Sequence, residues 1–313
     1  MIRSIVGEAR RLPVGYSKIG DDVALLPSGK GMVVLKVDML VQRTDMPKGM
    51  SFRQAARKAV AMCVSDFAAK GVKPDAFLLS LGLRRGTSEE EIRELANGFR
   101  KAQDEWGIRL VGGDTNEAGE LVIDCAMIGF ARDVVGRSGA KAGDLVMVTG
   151  PFGYPPAGLK ILQEGAKASP AFRKKAVEST LNPKPPLALG LALAPYLSAA
   201  MDSSDGLARS LHTLAKKSGV GFQLSSLPMA NGVEGFARAN GVDSESLVLA
   251  GGEEYEIVGT VRPSSLRGAE VAARMAGRKL MVIGRATDKK GKVTLSGQEG
   301  EKPVPDEGWL HLG

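Results

Sequence analysis

Hydrophobic and polar positions follow two different periods along this chain of 313 residues. MVVLKVDMLV, residues 32–41, is a nearly unbroken apolar run rich in β-branched residues and predicts a buried strand. Ser51-Phe-Arg-Gln54 has the spacing of a capping box and opens a helix with apolar positions at Ala56, Val60, Cys63 and Phe67, which Gly71 and Pro74 end. AFLLSLGL (76–83) predicts the next strand. A second capping box, Ser88 to Glu91, starts a helix whose Ile92, Leu95, Phe99, Ala102 and Trp106 form one stripe. IRLVGG and LVIDCAMIGFA read as two further strands.

Ala140-Lys-Ala-Gly-Asp144 punctuates the pattern before the strand LVMVTG and the Gly- and Pro-rich loop PFGYPPAG. Helical segments follow around 156–164, 170–179, 186–197 and 206–217. YEIVGTV (255–261) predicts a strand, 263–276 a helix and MVIGRA (281–286) a strand. Strands and helices interleave in both halves, which predicts an α+β chain of two domains, residues 1–140 and 141–313, with the boundary near 135–145. No repeat of 20–50 residues is visible in the sequence.

Composition narrows the chemistry. With 43% hydrophobic, 25% charged and 5% aromatic residues the chain has the make-up of a soluble globular protein. Its longest apolar stretch, Leu187 to Leu197, is too short to span a membrane and contains Gly190 and Pro195, and MIRSIVGEARRLP lacks an apolar signal-peptide core, so a cytoplasmic location is expected. Cys63 and Cys125 have no C-x-x-C partner, and His212 and His311 are isolated, which argues against zinc and against a Ser-His-Asp hydrolase; G-x-S-x-G is also absent. The net charge of +7 comes from dispersed Lys and Arg without an aromatic stacking platform, so nucleic acid is not the expected partner.

Against that basic balance, Met201-Asp-Ser-Ser-Asp-Gly-Leu207 packs two carboxylates and two hydroxyls together. Leu207, Leu211 and Leu214 follow at helical spacing, so one reading is an N-cap on the helix. The other is ligation, because a cap uses one oxygen and four are present. Asp21 or Asp22, Asp38 inside an apolar strand, Asp66 beside the apolar face of its helix and Asp114 after Gly112-Gly113 each have a local structural reading as well. Together they are many inward-leaning carboxylates, and a hard, oxygen-binding cation such as Mg2+, held by carboxylates and substrate phosphates, would satisfy them. The glycine loops at 112–113, 150–153 and 251–252 supply backbone N–H groups for phosphate, while no Walker motif and no kinase H-R-D or D-F-G set occurs.

IGDDVALL, VDMLV, VSDFAAKGVKP, LVGGDT, RSGAKAGD, VTGPFGYPPAGL, DSSDGL, GGEEYEI and the terminal GWLHLG resemble, in order and spacing from about residue 19 onward, the thiamine-monophosphate kinase family of the aminoimidazole-ribonucleotide-synthetase-like superfamily. The resemblance implies a two-domain PurM-like fold with an N-terminal α/β dimerisation domain and a C-terminal α+β domain. It implies ATP-dependent phosphorylation of thiamine phosphate with several Mg2+ ions, in a homodimer whose N-terminal domains pack together. Carried over by position, Asp21, Asp38, Asp66, Asp114, Asp202 and Asp205 would be metal ligands, and Gly113, Asp114, Arg137 and Ser204 ATP contacts. Asp45, Glu253 and Trp309 fall where the family holds thiamine phosphate. No covalent or general-base residue is implied.

The sequence departs from the bacterial pattern in three places. Lys36 stands where Ser or Thr is usual, Asp45 where His is usual and Cys63 where Asn is usual, so the chain looks closer to the archaeal branch. An ammonium cannot ligate a metal, so Lys36 removes or replaces one ion position. Within the superfamily, neither the reactive N-terminal Cys of selenophosphate synthetase nor the C-terminal Cys of the hydrogenase-maturation member is present. Aminoimidazole ribonucleotide synthetase is the alternative enzyme, and a non-catalytic Mg-ATP-binding sensor is the alternative of another kind.

Overall fold

The computed structural model describes residues 20–29, 31–297 and 300–309. MIRSIVGEARRLP, Ile19 and the last four residues of GWLHLG, including His311, lie outside them.

The first half builds a five-stranded sheet of order β1-β2-β5-β3-β4. Its elements are β1 (Ala24–Ser28), β2 (Gly31–Val41), the short α1 (Gln42–Asp45), α2 (Phe52–Lys70), β3 (Pro74–Leu83), α3 (Glu89–Trp106), β4 (Arg109–Glu117) and β5 (Val122–Ala131). Both capping boxes form: Ser51 and Gln54 close the start of α2, Ser88 and Glu91 that of α3, and Gly71 and Gly107 end them in left-handed conformation. The two helices cover one face of the sheet. The other face is open and apolar, with Val37 59%, Met39 54%, Leu78 47% and Phe130 59% exposed.

The second half builds a seven-stranded sheet of order β12-β11-β8-β10-β6-β9-β7. Chain order there is β6 (Leu145–Val148), α4 (Tyr154–Gln163), α5 (Pro170–Leu181), α6 (Leu187–Leu193), β7 (Leu197–Asp202), α7 (Leu207–Ser218), β8 (Gly221–Leu224), α8 (Val233–Asn240), α9 (Ser244–Leu249), β9 (Ile257–Val261), α10 (Leu266–Met275), β10 (Met281–Thr287), β11 (Val293–Gly297) and β12 (Gly300–Pro303). The α+β class read from the sequence is the observed one.

Three expectations need correction. The helix expected over 186–197 ends at Leu193, passes through a 3-10 turn at Ala194–Tyr196 and gives way to β7. Pro195 stops it, and the small residues Ser198, Ala199 and Ala200 then pair with β9. The strand expected from Tyr255 starts at Ile257, because Glu253 and Tyr255 have left-handed backbones, φ 64° and 51°. None of the oxygens of Asp202–Asp205 caps α7: its N-cap is Gly206, with φ 112° and no side-chain cap. The oxygens of that stretch are therefore not spent on the cap.

Helix α2 joins the halves. Almost every residue from Ala55 to Lys70 is buried, since one side lies on the first sheet and the other on α6 and β7. The crossing with α6 is close enough that a Cβ on Gly190 would overlap the Ala68 carbonyl. Arg57 clamps the same seam: its guanidinium binds Glu105 at 2.6 and 2.8 Å, donates to the Pro183 carbonyl at 2.9 Å and lies over the Trp106 ring.

Candidate active site

Where α2, β2 and the end of β7 meet lies a cleft of about 540 Å3. β2 presents Lys36 and Asp38 on its helix-facing side, because residues two apart share a face. α2 contributes Asp66. β7 ends in Asp202 and runs into Ser204 and Asp205, and the loop 251–255 closes the far wall with Glu253. Asp45, Arg137 and Trp309, which is 53% exposed, complete the lining.

Nine of the twelve sequence-derived positions thus share one cleft. Asp21 lies behind it, accepting from the Lys70 ammonium at 2.6 Å and from the Arg137 backbone N–H at 3.1 Å. Gly113 and Asp114 lie elsewhere, on the exposed edge strand β4; Asp114 pairs in register with Ser80.

Asp22, which the sequence could not separate from Asp21, takes the inner position. Asp22, Asp66 and Asp202 are all buried and bring one carboxylate oxygen each within 4.8 Å of the others. Lys70, which sequence does not single out, and Arg137 together hold this cluster. Lys70, fully buried, binds both Asp21 and Asp22 and donates to the Ala200 carbonyl at 2.8 Å. The Arg137 side chain grips Asp22 through two nitrogens. Lys36 lies inside the acidic group, 2.8 Å from Asp66 and 3.1 Å from Asp38. The available signal was spacing: Lys58, Asp66 and Lys70 stand eight and four residues apart on α2, a charged edge along a buried helix.

Crowding sets the electrostatics. Burial, and next the Asp202 charge, push the Asp66 carboxyl well above its ordinary range despite Lys36. Burial and the Asp22 charge raise Asp202 from 3.8 to about 7, against the pull of Lys36 and the Ser65 hydroxyl, which donates at 2.9 Å. Burial opposes the Lys36 ammonium, but Asp66 and Asp38 outweigh it and hold its pKa above the ordinary value. Burial also opposes the Asp21 carboxylate, yet Lys70 keeps its pKa below 3.8.

These shifts give a pH signature. A carboxyl whose folded pKa is raised binds more protons folded than unfolded, so its cost is absent below the unfolded value, grows as pH rises toward the folded value and is complete above it. The apparent melting temperature of the metal-free protein is expected to fall between about pH 4 and pH 7, the unfolded and folded values of Asp202. Millimolar Mg2+ should flatten the fall. Calorimetry at fixed scan rate in chelator and in Mg2+ checks this, and parallel curves would remove the cluster as a cation site.

A second cavity, about 640 Å3, lies in the C-terminal half between Thr149–Pro151, the end of α5 and Arg278. None of the twelve sequence-derived positions lines it. The described residues contain no helix long and apolar enough to cross a membrane.

Comparison with known proteins agrees with this architecture. Residues 20–131 match the model of the AIR synthase related protein N-terminal domain and residues 141–296 that of its C-terminal domain. The chain is 39% identical over 296 residues to the thiamine-monophosphate kinase of Nitrosopumilus maritimus, covering 95% of this chain and 94% of that one. It is 35% identical to the thiamine-monophosphate kinase of Pyrococcus horikoshii, covering 94% and 91%. The solved structure "AaThiL complexed with AMPPCP and TMP" superposes with a TM-score of 0.86 at 26% identity, covering 99% of this chain and 94% of that one. Two matched domains, near-complete coverage and an acidic cleft between the halves lead to one conclusion: the chain belongs to the thiamine-monophosphate kinase family of AIR-synthase-related proteins.

Proposed function

We propose that the cleft catalyses ATP-dependent phosphorylation of thiamine phosphate to thiamine diphosphate by direct in-line transfer. The observation that carries this reading is the convergence of Asp38, Asp66, Asp202 and Asp205 with Arg137, Ser204, Asp45, Glu253 and Trp309 on one cleft. The attacking atom is an oxygen of a phosphate monoester with a second pKa of about 6, so it is largely deprotonated at neutral pH and needs no base. Transfer then depends on positioning and on neutralising charge.

The residues fit Mg2+. Its preferred donors are oxygens, and Asp21, Asp22, Asp38, Asp66 and Asp202 set five carboxylates against three cations, Lys36, Lys70 and Arg137. Asp205 extends this set, and Asp21 stands at its edge beside Lys70. Ions bound there would neutralise charge on the transferring phosphoryl group. Lys36 supplies a fixed positive charge at one point of the cluster, which lowers the number of divalent ions the site requires. Arg137 and Ser204 face the nucleotide; Asp45, Glu253 and Trp309 face thiamine phosphate. The reading places the protein in the cytoplasm, where ATP is made.

Purified protein given Mg-ATP and thiamine phosphate should yield thiamine diphosphate and ADP in equal amounts. Cyclisation of formylglycinamidine ribonucleotide in place of that reaction would overturn the reading. Binding of Mg-ATP without any turnover would make the protein a sensor.

The reading includes a homodimer. The open face of the first sheet, with Val37, Met39, Leu78 and Phe130, is too apolar to suit a monomer, and a second copy covers it. Gly113 and Asp114, outside the cleft of their own chain, would then serve the cleft of the other copy. Asp114→Asn and Asp202→Asn proteins should each be inactive as homodimers. Co-expressed, they should regain about a quarter of wild-type activity, from mixed dimers with one intact site. No recovery in demonstrably mixed dimers would place Asp114 in its own chain's cleft or in none.

A further inference from the structure

Of the buried polar side chains on α2, Ser65, Asp66 and Lys70 serve the carboxylate cluster, Arg57 clamps the seam, and Lys58 does neither. The Lys58 side chain is 1% exposed. Its ammonium binds Glu253 Oε1 and donates to the Asp45 carbonyl at 2.9 Å. A buried ammonium persists only when charge-paired and hydrogen-bonded. Here the pairing ties together the two segments at the substrate end of the cleft, the turn after β2 and the loop 251–255.

Glu253 is fixed from several directions at once. Its left-handed φ of 64° is strained for a non-glycine residue, and the loop holds it there through Glu253 N–H to the Ser204 carbonyl at 2.7 Å and Tyr255 N–H to the Ser203 carbonyl at 2.9 Å. Lys58 fixes the side chain as well. One group is left over: Glu253 Oε2 is buried and has no hydrogen-bond donor among the described residues.

A buried acceptor without a donor is unfavourable, so the position suits a ligand that brings one. Because Lys58 already balances the carboxylate charge, Glu253 reads hydrogen-bond donors more than it attracts cations. The thiazolium ring of thiamine phosphate carries no N–H. The exocyclic amine of the aminopyrimidine is the molecule's N–H donor. The geometry points to Lys58 as a positioning residue that holds Glu253 as the acceptor for that amine, an assignment that rests on the thiamine-phosphate reading of the cleft.

The test compares thiamine phosphate with oxythiamine phosphate, which keeps the thiazolium and the phosphate but carries oxygen in place of the amine. The wild type is expected to prefer thiamine phosphate at least about 100-fold in kcat/KM, since an unmatched buried acceptor discriminates strongly. Glu253→Gln keeps an oxygen for Lys58 and turns an amide N–H2 toward the ligand, so the preference should shrink at least tenfold. Lys58→Met should raise KM for thiamine phosphate about tenfold and shrink the preference, with Mg-ATP affinity by titration calorimetry unchanged.

Equal losses for both substrates in Glu253→Gln would mean that Glu253 senses the thiazolium, and would overturn the assignment. So would a Lys58→Met protein with wild-type KM and preference. If Lys58→Met does not fold, Glu253→Gln decides alone. A wild type that binds Mg-ATP but turns over neither substrate overturns the thiamine-phosphate reading, and this assignment with it.

Discussion

Asp202→Asn is expected to lower turnover at least about 1000-fold and, at the same time, to raise the melting temperature of the metal-free protein at pH 8. Asp202 is one of three buried carboxylates that bring oxygens within 4.8 Å of each other. A ligand to a charge-neutralising cation is worth several kcal/mol in a phosphoryl transfer, and each 1.36 kcal/mol is a factor of ten in rate. Stability moves the other way. With its pKa raised to about 7, Asp202 is charged at pH 8 only against the opposition of burial and of Asp22. Asn keeps an oxygen for the Ser65 hydroxyl, removes one charge and offers N–H donors to its acidic neighbours. Relief on the order of 2 kcal/mol follows, well inside what a shift of this size represents. Wild-type turnover would remove Asp202 from the metal site, and a lower melting temperature in chelator at pH 8 would show that its charge is stabilising.

Gly190→Ala is expected to be the most damaging single-methyl change in the protein. Gly190 lies on α6 against the Ala68 backbone of α2, and the added Cβ would overlap the Ala68 carbonyl oxygen. Backbone cannot rotate out of the way as a side chain does, so the helices must separate, at a cost of about 3 kcal/mol. Ala68 is two residues from Asp66, so the same displacement moves one carboxylate of the cluster relative to Asp202 on β7. Misplacement on the order of 1 Å costs up to roughly 100-fold in rate. Urea denaturation and turnover should therefore fall together. Gly235→Ala is the control: Gly235 lies within α8 with nothing near its Cβ position, and alanine there should be neutral or stabilising. A Gly190→Ala protein as stable and active as wild type would show that the seam between the halves is soft.

Locally encoded features were legible in the sequence. Ser51 with Gln54, and Ser88 with Glu91, need only each other and the first turn of a helix, and both boxes form as read. β2 and β5 announce themselves because their apolar runs are long and β-branched, and β3 because its Phe and Leu run is bounded by Pro74 and Gly82. β7 does not, since its small residues become strand only by pairing with β9 some sixty positions later. The same limit governs the cleft. Asp66 and Asp202 stand out as carboxylates in apolar surroundings, but whether Asp21 or Asp22 faces them depends on a loop that Lys70 and Arg137 hold from far along the chain. Lys58 was invisible because both of its acceptors, the Asp45 carbonyl and Glu253, are distant in sequence.

The polar edge of α2 bears on how ligands come and go. Lys58, Asp66 and Lys70 all belong to a helix of the first half, yet Glu253, Asp202 and the Ala200 carbonyl, which they face, belong to the second. Swinging the halves apart about a hinge would break the Lys58–Glu253 and Lys70–Ala200 contacts together and expose the face that α2 buries against α6 and β7. The jaw is riveted shut along its hinge line. Ligands are therefore expected to pass over the rim, where Trp309 stands half exposed, without the halves swinging apart.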